Sequence, residues 1–266
     1  MKLSIVVLNY KSRNLVKYFL KRVLQFKLPF RLEIIVVDNN SGDGIGEMIK
    51  HDFPVTKFVQ TKKNLGMGGG NNLGIKKSQG DYILIANPDI TLSERAVNAM
   101  VDFLDNNEHV GIVGPKVLNP NKTPQESSWR YPSLLGFLYR RTFLGNMKNG
   151  KEYLHYFSYK DVDMTKSRAV DWVLGGCFMI RKKALDEVGM FDESFFLFLE
   201  DTDLCRRMWR HKYEVWYVNE AEVIHLPHRL SQSGGGFINI FSKLTLVHFF
   251  SWIRYFWKWR NRSDLN

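Results

Sequence analysis

Residues 32–42, Leu32-Glu33-Ile34-Ile35-Val36-Val37-Asp38-Asn39-Asn40-Ser41-Gly42, form an apolar run that stops at a carboxylate and a turn. The run is short and rich in β-branched residues, so it predicts a strand ending at Asp38. Near-continuous hydrophobicity, without alternation, marks a parallel strand covered on both faces. Upstream, Leu3–Leu8 is another such run, closed by Asn9 and Tyr10, and Leu15, Tyr18, Phe19 and Val23 recur at helical spacing between the two. Downstream, Ile45–His51 predicts a short helix and Val55–Val59 a third strand. A Gly/Asn-rich loop should follow and become helical through Ile75–Ser78. Tyr82–Ala86 predicts a fourth strand, ending in Asn87-Pro88-Asp89. Ser93 reads as the N-cap of a helix to about Asn106, and Val110–Val113 as a further strand.

Strands alternating with helices predict parallel βαβ units and an α/β fold, a three-layer α/β/α sandwich with a mostly parallel central sheet. Ligands of such sheets lie beyond the carboxyl ends of the strands. Asn9, Asp38, Asn64 and Asp89 all fall at or just past strand ends. The second half is less regular. Residues 115–168 have weak periodicity, and Val170–Arg181 is apolar around Gly175-Gly176. The aromatic run Phe191–Phe198 leads into Glu200-Asp201-Thr202-Asp203. Leu204–Arg210 predicts a helix and Glu214–Val218 a strand, with His225 and His228 in a loop beyond it.

With 266 residues, 44% of them hydrophobic, the chain can build one sizeable core or one domain plus an appendage. Cys177 and Cys205 lack metal-site spacing and read as small buried side chains in a reducing compartment. Leu3–Leu8 is too short for a signal-peptide core, and no stretch is long and apolar enough for a transmembrane helix. A net charge of +11 favours anionic partners. No nucleic-acid-binding motif accompanies it, so nucleic acid is not expected as a partner.

The strand-end groups suggest chemistry, each with a plainer reading beside it. Asp38 can accept from a ribose hydroxyl or a pyrimidine N–H, or can cap its own turn. Asn64-Leu65-Gly66-Met67-Gly68-Gly69-Gly70-Asn71-Asn72 can bring backbone N–H groups to a diphosphate, or can be a flexible turn. It is not a dinucleotide fingerprint, which would sit directly after the first strand, where Asn9-Tyr10-Lys11-Ser12 stands; this argues against a nicotinamide dehydrogenase. Asn87-Pro88-Asp89 can hold Mg²⁺ or Mn²⁺ against a diphosphate, or can be a turn with an Asp cap. In Glu200-Asp201-Thr202-Asp203, one acid can serve as a general base while the others cap the helix. A lone histidine such as His225 is more often structural than a ligand.

Taken in order, Ser4-Ile5-Val6-Val7-Leu8-Asn9-Tyr10, Val36-Val37-Asp38-Asn39-Asn40-Ser41, Asn64-Leu65-Gly66 through Asn71, Asn87-Pro88-Asp89, and Phe191-Asp192-Glu193 through Glu200-Asp201-Thr202-Asp203-Leu204-Cys205-Arg206 resemble the family 2 glycosyltransferases of GT-A fold, in particular their rhamnosyltransferase-like branch. The resemblance covers about residues 2–228. It implies nucleoside contacts from Asn9, Tyr10, Asp38 and Asn40, and sugar-diphosphate contacts along Asn64, Gly66, Gly70 and Asn71. Asp89 stands in the metal motif, where Asn87 replaces the first Asp and is free to contact ribose. His225 matches a late histidine that completes the metal shell, and Asp201 matches the general base. Acceptor-side candidates are Trp172, Gly175, Gly176 and Glu200. The implied reaction is inverting transfer from a dTDP- or UDP-linked sugar, dTDP-rhamnose first, to a glycan or lipid-linked saccharide, with a divalent metal as cofactor. A non-catalytic nucleotide- or glycan-binding module, or a basic nucleic-acid-binding protein, is the alternative.

The domain reading is a catalytic domain over 1–236, with a nucleotide-binding part to about 114 and an acceptor-binding part over 115–236. A helical tail over 237–266 follows. In the tail, Phe237, Phe241, Leu244, Val247, Trp252, Tyr255, Phe256 and Trp259 recur at roughly helical spacing, and Lys243, Arg254, Lys258, Arg260 and Arg262 add charge without an acid among them. Aromatic rings favour the headgroup zone, and each basic residue near an anionic surface adds about 1 kcal/mol. The tail is therefore expected to lie in the plane of the membrane, peripheral at its cytoplasmic face. Packing on the catalytic domain or on a second subunit of a homo-oligomer is the alternative.

Overall fold

A computed structural model describes residues 2–226 and 243–260. Its first half is β1 (Leu3–Asn9), α1 (Arg13–Val23), β2 (Leu32–Asp38), α2 (Ile45–Asp52), β3 (Lys57–Gln60), α3 (Gly66–Lys77), β4 (Tyr82–Ala86), β5 (Ile90–Thr91), α4 (Glu94–Asn106) and β6 (Val110–Leu118). After these come β7 (Ser128–Trp129), α5 (Leu134–Arg141), a 3₁₀ turn (Phe143–Asn146), α6 (Lys148–Phe157), β8 (Arg168–Ala169), β9 (Trp172–Val173) and β10 (Cys177–Arg181). The chain continues with α7 (Lys182–Val188), α8 (Glu200–Arg210), β11 (Glu214–His225) and α9 (Lys243–Trp259).

The main sheet runs β3-β2-β1-β4-β10-β6-β11-β5, with β8 on β11. The β3-β2-β1-β4 half is parallel, β10 is antiparallel to both neighbours, and β6 and β11 are again parallel. Strand alternation sends Ile5 and Val7 to one face, under α1, α2 and α4, and Val6 and Leu8 to the other, under α3, α7 and α8. β1, β2 and β4 are thus buried on both sides, as their continuous apolar runs demand. β7 and β9 form a separate small sheet, and Cys177 and Cys205 are both buried free thiols.

The fold corrects several expectations. The glycine-rich stretch is not a loop: Gly66–Lys77 is helical throughout. Its glycines serve close packing, since a Cβ on Gly70 would sit 2.5 Å from a Leu8 methyl and one on Gly74 would overlap Val6. The amides at its start also have protein acceptors. Leu65 N donates to Asn39 Oδ1, Gly66 N to Asn64 Oδ1 and Met67 N to the Phe196 carbonyl, each at 2.9 Å. β3 begins at Lys57, leaving Val55 exposed. β11 reaches His225, which ends a strand instead of lying in a loop. Helices α5 and α6 occupy part of the stretch whose periodicity was too weak to assign.

α9 buries Trp252, Tyr255 and Trp259 against Phe195 and Leu199, a small third core. Phe237, Phe241, His228, Arg262 and the 236/237 boundary lie outside the described residues. No helix among the described residues is long and apolar enough to cross a membrane.

Candidate active site

Four strand ends and the start of α8 meet at one edge of the sheet. At the ends of β1 and β2, Asn9 and Asp38 are in register and almost fully buried. Asn9 Nδ2 donates to Asp38 Oδ1 at 2.9 Å and also reaches Ser41 Oγ, while Asn9 Oδ1 accepts from Ser12. Asp38 also accepts from Ser41 N at 3.3 Å. The pair fixes the turn that follows β2, leaving Tyr10 and Asn40 as the exposed groups at this edge. Asn40 adopts a left-handed φ of 59°, a conformation that asparagine tolerates better than most residues.

Asn39 joins this turn to α3, donating from Nδ2 to Asn64 Oδ1 and to the Gly66 carbonyl. Asn72 ties α3 to the acidic segment, donating to the Phe191 carbonyl and to Glu193 Oε1. Asn71 is buried beside it, and its Oδ1 has no partner among the described residues.

Beyond β4, Asp89 and His225 come together. His225 Nε2 lies 3.4 Å from Asp89 Oδ2, and His225 Nδ1 is 3.0 Å from Gln125 Oε1. With an amide oxygen as its partner, Nδ1 carries the proton and Nε2 turns a lone pair toward the carboxylate. Two acceptors facing each other need a cation or a second proton between them. The other Asp89 oxygen is buried with no partner among the described residues. An oxygen donor and an imidazole nitrogen of this kind fit Mg²⁺ or Mn²⁺ with ligands still to be filled by water or phosphate. No group of three or more acidic, His or Cys side chains suited to a metal occurs among the described residues.

Asp201 is brought to this edge by glycine. Gly175 N donates to Asp201 Oδ2 at 2.8 Å, and a Cβ on Gly175 would lie only 2.6 Å from that oxygen. The next residue, Gly176, accepts from Asn87 N at 2.8 Å through its carbonyl. Asp201 Oδ1 accepts from Thr202 N at 2.7 Å and from the Thr202 hydroxyl. Burial holds the Asp201 carboxyl above its ordinary range, and these N–H groups offset part of that rise. Glu200 has only its own backbone N–H to lower it: burial, and then the charge on Asp201, push it up to about 8, and its Oε2 is unpartnered among the described residues. Phe198 and Leu199, just before the pair, both have left-handed φ, 70° and 67°. Side chains other than Gly pay for that conformation, and such strain gathers at functional sites. The sequence carries no signal of it.

On the remaining side, Trp172 stacks on Trp129 at 4.5 Å between ring centroids and donates to the Arg130 carbonyl. A cleft of about 530 Å³ lined by Val23, Phe26, Leu28 and Phe30 lies at the opposite, amino ends of the parallel strands, away from these acids.

The model of glycosyl transferase family 2 matches residues 4–189, and that of glycosyl transferase family group 2 matches residues 134–260, α9 included. The low-salt glycan biosynthesis hexosyltransferase Agl10 of Haloferax volcanii is 27% identical over 84% of this chain and 66% of its own. The N-acetylglucosaminyl-diphospho-decaprenol L-rhamnosyltransferase of Mycobacterium tuberculosis is 26% identical over 76% of this chain and 68% of its own. The chain thus spans about two thirds of the length of these relatives. Among solved structures, GalNAc-T7 with UDP, GalNAc and Mn²⁺ superposes with a TM-score of 0.62 at 14% identity, over 85% of this chain and 44% of that one. That likeness is one of fold, and the fold is GT-A.

Proposed function

The chain belongs to glycosyl transferase family 2, and from that premise we propose that it is an inverting glycosyltransferase with Asp201 as general base. The donor is a pyrimidine nucleotide-diphosphate sugar, and the acceptor is a hydroxyl of a glycan or lipid-linked saccharide. One observation carries the reading. The Gly175-Gly176 pair is hydrogen-bonded to Asp201 on one side and to the Asn87 backbone on the other, so the acid and the Asn87-Pro88-Asp89 triplet share one edge.

The reaction is a single in-line displacement. The acceptor oxygen bonds to the anomeric carbon as the bond from that carbon to the diphosphate oxygen breaks, and the electron pair leaves on the diphosphate. The acceptor's proton passes to Asp201. Gly175 N and Thr202 N hold that carboxylate in one orientation and favour its charged form. Glu200, neutral near pH 7, leaves the pair's single charge on Asp201. General-base help of this kind is worth about 10²–10⁴-fold. Asp89 and His225 would hold a divalent cation, which would supply positive charge to the leaving diphosphate. Tyr10 and Asn40 meet the nucleoside on the base that Asn9 and Asp38 build. Asn64, Asn71 and Asn87 border the donor, and Trp172, Gly175, Gly176 and Glu200 border the acceptor.

dTDP-rhamnose is the first donor to try, because of the similarity to an L-rhamnosyltransferase. That relative's name also gives a diphospho-decaprenol acceptor, which suits work at a membrane. α9 offers exposed Phe249, Phe250, Ile253 and Trp257 beside Arg254 and Arg260, a face suited to an anionic lipid surface. The chain would then sit peripherally at the cytoplasmic face of the membrane. Calorimetric titration with dTDP and UDP, in Mn²⁺ and in EDTA, tests the site. Binding should be tighter in Mn²⁺, and Asp89→Ala should remove that increment, with His225→Ala removing less. Equal affinity in Mn²⁺ and EDTA for the unaltered chain would rule out the metal role.

A further inference from the structure

We infer that α9 is a clamp on the segment that carries the base, with Lys258 and Trp259 as positioning residues for Asp201. This rests on the reading of Asp201 above. The segment from Asp192 to Asp203 includes two left-handed non-glycine residues, Phe198 and Leu199, immediately before the acids. A backbone in that state holds only when its surroundings over-determine it. α9 supplies much of these surroundings, beside Asn72 and Met67 of α3 and Arg207 of α8, whose Nε donates to Asp203 Oδ2 at 2.8 Å.

Lys258 Nζ lies 2.7 Å from Asp192 Oδ2 and 2.8 Å from Asp203 Oδ1, so one ammonium closes both ends of the segment. Trp259 Nε1 donates to the same Asp203 oxygen at 3.1 Å. Between those ends, Ser251 Oγ donates to the Leu197 carbonyl at 2.8 Å, and the Arg254 guanidinium donates to the Ser194 carbonyl. The His248 ring lies over Phe198 at 4.3 Å between centroids. Phe195 and Leu199 are buried among Trp252, Tyr255 and Trp259.

Asp203 is wholly buried in the first turn of α8, two residues after Asp201, so fixing it fixes that turn. The clamp also reaches the donor side, because the Phe196 carbonyl accepts from Met67 N in α3. A Cβ on Gly66 would overlap that carbonyl. The C-terminal helix therefore does more than cover an apolar patch: it sets where the base stands relative to the donor helix.

The test uses the full chain with Lys258→Met and Lys258→Arg. Hydrogen exchange should speed by about tenfold or more over residues 195–203 in Lys258→Met, while β1 to β4 keep their protection. With dTDP-rhamnose as probe, kcat for hydrolysis should fall on the order of 10- to 100-fold at nearly unchanged KM, as expected of a displaced catalytic group. Lys258→Arg, which keeps the charge and its reach, should recover most of both. Should Lys258→Met not fold, Trp259→Phe and Ser251→Ala each remove one hydrogen bond and take the same two readouts. Unchanged exchange over 195–203, or a loss of kcat matched by an equal loss of dTDP affinity, would overturn the clamp. An unaltered chain that hydrolyses neither dTDP- nor UDP-sugars counts against the base or donor reading, and the exchange measurement still decides the clamp.

Discussion

Glu200 and Asp201 are adjacent carboxyls in a buried turn, and the protein treats them differently. Asp201 receives two backbone N–H groups, whereas Glu200 receives no side-chain partner and is pushed up to about 8. A folded-state value raised above the usual carboxyl range adds stability that is full at low pH and is lost as pH rises through about 8. Glu200→Gln removes that loss. Thermal melts of the two proteins should nearly agree at pH 5 and separate at pH 9, with the variant higher by several degrees, since a shift of this kind is on the order of a few kcal/mol. Coincident melts at pH 9 would mean that Glu200 is solvated or paired. Family motifs of specific order make Asp201, Asp89 and His225 legible as candidates. Asn39, Asn72 and Gln125 are not. Their amides bridge segments distant in the chain, and nothing in local pattern marks a side chain for such a contact.

At the scale of the element, α3 is where reading and structure part. Four of its first five residues are Gly, which costs roughly 1 kcal/mol each against Ala in a helix, so local propensity argues for a loop. Packing decides otherwise. Gly70 and Gly74 let the helix lie directly on Leu8 of β1 and on Val6 beside it, a contact no larger residue allows. Gly74→Ala therefore sets a propensity gain of about 1 kcal/mol against overpacking of about 1–3 kcal/mol. The net should be destabilising by up to about 2 kcal/mol in urea unfolding. A more stable variant would mean that the helix does not sit so close. The long apolar strands were readable for the opposite reason, since β1, β2 and β4 have a hydrophobic pattern that burial on both faces rewards. Helices α5 and α6 escaped because much of their surface is exposed and their apolar periodicity is correspondingly weak.

For the whole molecule, the exposed apolar side chains of α5 and α9 matter most. Leu134 of α5 shares an apolar groove with Phe249, Ile253 and Trp257 of α9, and Phe137 packs against Trp252 to join the two helices. Exposed patches of this kind mark interaction surfaces. The inner face of α9 is core, so removing the helix would uncover Phe195 and Leu199 and confuse the test. Outer-face substitution is cleaner. Phe250→Glu with Trp257→Glu should abolish co-sedimentation with phosphatidylglycerol vesicles at low salt and leave dTDP binding intact. Vesicle binding that survives the double change would remove α9 from the interface. As proposed, Asp201 takes the acceptor's proton at a metal-assisted donor site. The most direct test of that role is Asp201→Asn, measured for dTDP affinity in Mn²⁺ and for turnover of dTDP-rhamnose. Affinity should stay within about twofold while turnover falls by about 10²-fold or more, the usual range for a lost general base. A variant that keeps more than about a tenth of the turnover would contradict it.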